Sequence, residues 1–204
     1  MAIIRPKKEE NKEYTSFTGV CEFGIMEFTD KSADFDWADL FIEITVRQKG
    51  SDFDRNIAIK GNFDKEGDKI TGGATLKKMY HFFDQIGCDA GITVDGKWEN
   101  NDGEPIDNIG DYLNKHHVKA SSKGAGTPDL DYLGYFYKQQ PKVPGGKSYL
   151  QALARVYKNT NANVIEMTKH VNWMKSKGYI KELTGDTPAQ PTMNSMSGSA
   201  LGNL

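Results

Sequence analysis

The amino-acid sequence, 204 residues long, predicts a β-rich α+β fold: a small β-barrel with a helix between its strands and a C-terminal helical segment. Three observations support this class. Apolar and polar residues alternate along 40–48, as in a half-buried strand. Apolar residues recur at helical spacing along 74–86. The chain has 10 Phe, 9 Tyr and 3 Trp residues, enough to fill a barrel core although 26% of its residues are charged.

The first three strands are predicted from alternation and turn residues. A long strand at 14–28 contains Gly19 and Gly24, and glycines inside a strand predict a bend or a bulge. The second strand, 40–48, is followed by a turn and a returning strand at 53–63. In the second strand, one face consists of Leu40, Ile42, Ile44 and Val46, and the opposite face of Phe41, Glu43, Thr45 and Arg47.

A helix interrupts the strands. It is predicted at 74–86, where Gly87 provides a C-terminal cap. An insertion at 88–117 follows, and it contains a small hairpin at 91–101 and a short helix at 106–113.

The remaining elements close the barrel. A short segment, 118–120, is the only candidate for a strand before the aromatic strand at 130–137. Ser148 and Gln151 match a capping box, which predicts a helix from 148 to about 157. A last helix is predicted at 163–177, with a buried stripe consisting of Val164, Met167, Val171 and Met174.

Three strands, a helix and closing strands are the element order of an OB-type barrel. The predicted organisation is a flexible charged arm at 1–13 and an OB-like nucleic-acid-binding domain at 14–183. This domain contains the insertion 88–117 and the C-terminal helices within 148–178. Residues 184–204 have the composition of a disordered tail.

Charge is distributed unevenly along the chain. The formal net charge is −2, but residues 133–181 contain nine Lys or Arg and one Glu, a net of +8, so the rest carries −10. This clustering favours a polyanionic partner. The alternative is a solvated basic helix face that is balanced by acidic loops elsewhere.

Several classes are excluded or disfavoured. No apolar run approaches the ~18 residues of a membrane span, and the N-terminal segment lacks the apolar region of a secretory signal. Cys21 and Cys88 form no CxxC pair, and the pair His116-His117 is interpreted as a surface pair. We therefore expect an intracellular protein with no membrane partner, no metal and no cofactor.

Catalytic motifs are incomplete. Gly145-Gly146-Lys147-Ser148 resembles part of a phosphate-binding loop, but the motif needs a Gly where the chain has Pro141. The carboxylates of Asp34, Asp36, Asp39 and Glu43 lack the Lys that would complete a nuclease site. We expect no enzymatic activity.

Aromatic and basic residues interleave between 132 and 158, as in proteins that bind single strands by stacking and phosphate contacts. The residues predicted to stack on bases are Phe41, Tyr135 and Tyr137. Those predicted to contact phosphates are Arg47, Arg55, Lys60, Lys138, Lys142, Lys147 and Arg155.

Three segments carry a resemblance to a known family: Phe-Ile-Glu-Ile-Thr-Val at 41–46, residues 75–87 continuing into 103–106, and Tyr-Phe-Tyr-Lys-Gln-Gln-Pro-Lys-Val-Pro-Gly-Gly-Lys at 135–147. In these segments, and over about 14–183, the chain resembles the OB-fold single-stranded DNA-binding proteins of tailed bacteriophages. The resemblance implies a protein that coats and protects single strands during replication and recombination.

The same resemblance implies the cytoplasm of an infected bacterial cell as its location. It also implies replication or recombination proteins as further partners. Many members recruit those proteins through an acidic tail, whereas the tail of this chain has only Asp186.

Two other functions compete. The segment 163–181 is similar to the recognition helix and wing of a winged-helix repressor, which would read duplex DNA with Lys169, His170, Trp173 and Lys175. A viral structural or assembly protein would need no nucleic acid. A preference for single or double strands separates single-strand binding from the winged-helix function. A steep salt dependence of binding separates both from a structural role.

Overall fold

The computed structural model describes residues 18–119, 128–141, 143 and 146–183. A 3-10 turn, Ser32–Asp34, lies between the first two strands. In chain order, the elements are β1 (Gly19–Asp30), β2 (Leu40–Gln48), β3 (Asp54–Gly61), β4 (Asp64–Glu66), β5 (Lys69–Gly72), α1 (Ala74–Ile86), β6 (Gly91–Ile92), β7 (Trp98–Glu99), α2 (Ile109–His117), β8 (Tyr132–Lys138), β9 (Leu150–Ala152), β10 (Tyr157–Lys158) and α3 (Asn161–Ser176).

The main sheet has six strands among the described residues. Its order is β10-β8-β1-β2-β3, and β9 pairs with β8. All of these pairs are antiparallel. The sheet curves into a nearly closed barrel, and α1 contacts both edge strands, β3 and β10. The helix therefore lies where the two edges of the sheet approach each other.

Strand β1 serves both halves of the barrel. Residues 19–23 pair with β8, and residues 23–30 pair with β2. The register shifts between Ile25 and Glu27, which is the irregularity expected of a long strand that bends. At Gly24, a Cβ would lie 2.4 Å from the Asp129 carbonyl oxygen, so this position accepts no side chain.

The interior of the barrel is apolar and rich in aromatic rings. Phe23 and Phe136 meet edge-on, with ring centroids 6.1 Å apart, and Phe28 meets Phe82 of α1 at 6.1 Å. The largest of the fully buried side chains in this core are Phe23, Phe28, Leu40, Ile42, Ile44, Ile57, Ile59, Met79, Phe82, Phe83, Ile109 and Phe136.

A second, smaller core lies between α3 and β8. Met167 and Val171 of α3 pack with Leu133 and Tyr135 of β8. Thr160 caps the helix, because its Oγ1 accepts a hydrogen bond from the Asn163 backbone N–H at 3.2 Å. Strand β8 is consequently covered on both faces, by the barrel core and by α3.

Several sequence predictions are confirmed. Strand β2 and helix α1 have the predicted bounds, β6 and β7 form the predicted hairpin, and α3 buries part of the predicted stripe. The β-rich α+β class is confirmed as well. None of the described helices is long and apolar enough to span a membrane.

Other predictions are wrong. The helix predicted at 148–157 is replaced by β9 and β10, because the edge of β8 that is not paired with β1 offers backbone pairing there. The helix predicted at 106–113 begins instead at Ile109, and no strand forms at Val118 and Lys119. The predicted arm at 1–13 and tail at 184–204 lie outside the described residues.

We expect Gly24→Ala to destabilise the fold by about 1–3 kcal/mol, the usual range for overpacking. The new methyl group would meet the Asp129 carbonyl oxygen and Pro128 Cβ, both at 2.4 Å. Urea unfolding measures the effect. Gly91→Ala is the matched control, since its Cβ would lie 3.4 Å from the nearest atom, Tyr80 Oη. Equal stability of the two variants would contradict the close approach at Gly24.

Candidate nucleic-acid interface

The outer face of β2 and β3 carries one set of candidate residues. The predicted alternation is correct, and Phe41 lies opposite Lys60 in the cross-strand register. Arg47 lies opposite Asp54, and its Nε donates a hydrogen bond to Asp54 Oδ1 at 2.8 Å. The charge of Arg47 is therefore neutralised by a neighbour on the same face.

Phe35, Trp37, Phe41 and Lys60 form a cluster on this face, which we call the tryptophan platform. Phe35 stacks on Phe41 with centroids 4.8 Å apart, and Trp37 lies 6.0 Å from Phe41. Lys60 Nζ lies 5.0 Å from the Phe41 centroid and 5.7 Å from that of Trp37. Phe41 is 7% exposed and Trp37 is 51% exposed. Trp37 is thus the ring of the platform that is accessible to a base, and Phe41 supports it.

Arg55 does not share the face of the platform. Its cross-strand partner is Val46, which is fully buried in the barrel core. The Nε of Arg55 is buried and has no hydrogen-bond partner, while Nη1 donates to the Asp54 carbonyl at 3.2 Å. Arg55 therefore lies on the other face of the sheet from Phe41 and Lys60, and its predicted phosphate contact stays a prediction.

The two tyrosines predicted to stack on bases lie under α3 instead. Tyr135 is 5% exposed, and its hydroxyl donates a hydrogen bond to Glu182. Tyr137 is half-buried and stacks on Tyr135, with centroids 6.0 Å apart. Burial and the bond to Glu182 raise the pKa of Tyr135 to about 12. Tyr135 is part of the second core, so it offers no face to a base.

The predicted lysines of the following loop are only partly described. Lys138 ends β8, is half-buried, and its carbonyl accepts a hydrogen bond from the Leu183 backbone N–H at 2.9 Å. The side chain of Lys147 is exposed. Lys142 lies outside the described residues.

A second surface is a cavity of about 720 Å³ between α1, the residues after β9, and α3. We call it the helix cleft. Among the described residues, no carboxylate lines it. The lining consists of Lys77, Lys78, His81, Arg155, His170, Trp173 and Tyr179, together with the apolar Ala74, Ala152, Leu153, Ala154 and Met174.

The polar groups of the helix cleft are held in place by neighbours. Arg155 Nε donates to Tyr157 Oη at 2.7 Å, and its guanidinium carbon lies 5.5 Å from the Tyr157 ring centroid. Trp173 is 50% exposed. It stacks on His170 at 5.9 Å and contacts Tyr179 at 5.8 Å. The cleft therefore combines a positioned cation with exposed rings.

Sequence reasoning found only part of this cleft. It identified Arg155 as a phosphate contact and Trp173 as part of the competing recognition helix, but it did not include Lys77, Lys78 or His81. These three residues lie on the exposed side of α1, which is far from α3 in sequence. Their spacing in the sequence places them on the side of α1 that is opposite its apolar stripe. The spacing does not show which other element they face.

A third cluster could hold a metal ion. Ligand atoms of Cys88, Asp89 and His117 all lie within 4.8 Å of one another. Burial raises the pKa of the Cys88 thiol to about 11. The sequence predicted no metal because these residues show no ligand spacing, and only the fold brings the residues after α1 to the end of α2.

The histidines of the helix cleft predict that anion binding there depends on pH. Burial, and then the charge of Arg155, lower the pKa of both His81 and His170 below its ordinary value of about 6.5. Both rings are therefore neutral at neutral pH. A phosphate in the cleft would raise these pKa values, so anion binding takes up protons and strengthens as the pH falls.

We expect the affinity for poly-dT to rise as the pH falls from about 7.5 to about 5.5. Fluorescence titration at constant ionic strength measures this. His170→Gln should flatten the pH profile, whereas His116→Gln, outside the cleft, should leave it unchanged. A profile that is the same in all three proteins would contradict a role for the cleft histidines.

The tryptophan platform and the helix cleft each combine an exposed tryptophan with lysine, and only the cleft combines several cations without a carboxylate in its described lining. The cleft also has the volume of a ligand site.

No protein-family model, no curated protein and no solved structure matches this chain.

Proposed function

We propose that this protein binds single-stranded DNA without sequence specificity, on a barrel of the OB type and without catalysis. The element order supports the barrel type: the three main-sheet strands β1, β2 and β3 precede α1, and β8 and its partners follow it. OB barrels bind oligonucleotides on the face of their second and third strands and on the adjoining loops. The tryptophan platform lies on that face, with Phe35 and Trp37 in the loop between β1 and β2.

The observation that carries the proposal is the lining of the helix cleft. Lys77, Lys78 and Arg155 supply three cations, and Trp173 and Tyr179 supply rings that are 50% and 62% exposed. Proteins that bind single strands combine a positive groove for the backbone with rings on which bases stack. Both requirements are met within one cavity.

The mode of binding follows from these groups. Lys77, Lys78 and Arg155 contact phosphates, and a base stacks on Trp173. Every base has a π face and every phosphate has the same charge, so neither contact selects a sequence. Coating of single strands during replication and recombination rests on the family resemblance.

The winged-helix alternative fits less well. A helix-turn-helix needs a first helix before the recognition helix, but the element before α3 is strand β10. Two of the predicted groove-reading lysines are also engaged within the protein. Lys169 Nζ bonds to Glu166 at 2.8 Å and Lys175 Nζ to Glu182 at 2.7 Å.

A purely structural role makes no use of the cleft. An assembly protein without a nucleic-acid partner has no need for several cations around two exposed rings. The combination of charge and rings therefore favours a single-strand ligand over this third function.

We expect Trp173→Ala to weaken poly-dT binding by about 1–3 kcal/mol, or about 5- to 150-fold, since it removes one stacked base. The slope of log K against log salt should not change, because no cation is lost. Fluorescence anisotropy with labelled oligo-dT measures both quantities. Trp37→Ala is the matched variant, because Trp37 has the same exposure on the tryptophan platform.

The Trp173→Ala and Trp37→Ala variants distinguish the helix cleft from the tryptophan platform. A loss confined to Trp173→Ala places the strand in the helix cleft, and a loss in both extends the site to the platform. A loss confined to Trp37→Ala would move the site to the platform and overturn the cleft. Unchanged affinity in both would contradict the stacking mechanism.

The double variant Lys77→Ala/Lys78→Ala should reduce the magnitude of the salt slope by about 1.4, since each phosphate contact to a single strand contributes about 0.7. Lys97→Ala, an exposed lysine in the β6–β7 turn, is the control and should leave the slope unchanged. An unchanged slope in the double variant would show that these lysines contact no phosphate.

A further inference from the structure

One cluster of ligand-type side chains lies outside both candidate DNA surfaces. Cys88 and Asp89 follow Gly87, which ends α1 in a left-handed conformation. His117 is the last residue of α2. The Sγ, carboxylate and imidazole ligand atoms all lie within 4.8 Å of one another. The ends of the two helices thus bring His117 next to the adjacent residues Cys88 and Asp89, which lie far from it in sequence.

The imidazole of His117 has one nitrogen that is suited to binding a metal ion. His117 Nε2 is buried and has no hydrogen-bond partner, and a buried polar atom without a partner is costly and rare. The described residues therefore supply no hydrogen-bond partner for this nitrogen, and a metal ion would supply a partner.

The other two ligand groups are oriented as well. Tyr112 Oη donates a hydrogen bond to Asp89 Oδ1 at 2.6 Å. The Ala90 backbone N–H donates to Cys88 Sγ at 3.4 Å. Metal-binding histidines commonly donate their second N–H to a backbone carbonyl, and metal-binding carboxylates are hydrogen-bonded in turn. Asp89 has an orienting contact of this kind, and the Cys88 sulfur accepts one from the backbone.

We propose that Cys88, Asp89 and His117 bind one Zn²⁺ ion, with the fourth position taken by water. Thiolate, carboxylate and imidazole are the ligand types that zinc prefers, and zinc sites with three protein ligands retain one open position. Coordination forms a Zn–S bond and releases the thiol proton to solvent. Asp89 is exposed, so the ion enters from its side.

The ion would have a structural consequence. The ligands bracket the insertion that contains β6, β7 and α2. A metal bound at both ends of this insertion joins the end of α1 to the end of α2. Because the complete site exists only in the folded chain, zinc stabilises the folded state.

The test uses the full chain, stripped with chelator and titrated with Co²⁺, which replaces Zn²⁺ and absorbs visible light. We expect one Co²⁺ per chain, a thiolate-to-cobalt band in the near ultraviolet, and loss of both signals when Zn²⁺ is added. Cys88→Ser should remove the thiolate band, and His117→Gln should weaken binding by about 10-fold or more. Zn²⁺ should also raise the thermal midpoint of the native chain.

The chain offers matched controls. Cys21→Ser removes the other half-buried free thiol, and His116→Gln removes the adjacent histidine; neither should change Co²⁺ binding. If Cys88→Ser does not fold, as judged by circular dichroism, Asp89→Asn at the exposed ligand tests the site instead. Absence of a thiolate band in the native chain, or a band that survives Cys88→Ser, would overturn the proposal. So would Co²⁺ affinity that neither His117→Gln nor Asp89→Asn reduces.

Discussion

The pairing of strand β1 with two different strands is the constraint on which the rest of the fold depends. The first half of β1 pairs with β8 and its second half with β2, so a single strand joins the N-terminal hairpin to the C-terminal part of the chain. The bend between the halves requires close packing at Gly24, beside the backbone of Asp129. Because β1 belongs to both halves, the sheet curves into a barrel and α1 fills the place between its edges.

This arrangement decides which aromatic residues face solvent. Helix α3 covers the outer face of β8, and Tyr135 is buried there against Met167 and Val171. On the outer face of β2 and β3, Trp37 remains 51% exposed. The C-terminal end of α3 also forms one wall of the helix cleft, where it presents Trp173.

Local patterns predicted the elements whose stability is local. The alternation of β2 and the apolar spacing of α1 were sufficient for both their type and their bounds. The prediction of a helix at 148–157 was wrong because its capping residues favour a helix, whereas pairing with the edge of β8 that β1 leaves free outweighs that preference. Ser148 instead donates its hydroxyl to the Gln139 carbonyl at 2.7 Å.

The candidate sites were harder to predict because they depend on contacts between distant segments. The basic stretch 133–181 includes Arg155 of the helix cleft, but Lys169 and Lys175 of the same stretch are paired with Glu166 and Glu182. Two cations of the cleft, Lys77 and Lys78, come from α1 outside that stretch. Similarly, Tyr135 could not be assigned to a core from its strand alone, since only the packing of α3 buries its outward face.

The most direct test of the account is a titration of the native protein with poly-dT and with a duplex of equal length, followed by tryptophan fluorescence. With phosphate contacts from Lys77, Lys78 and Arg155, the slope of log K against log salt should be about −2, a loss of about 20-fold between roughly 50 and 200 mM salt. The account predicts fluorescence quenching and tighter binding to poly-dT than to the duplex. Equal or tighter duplex binding, or poly-dT binding that does not respond to salt, would contradict it.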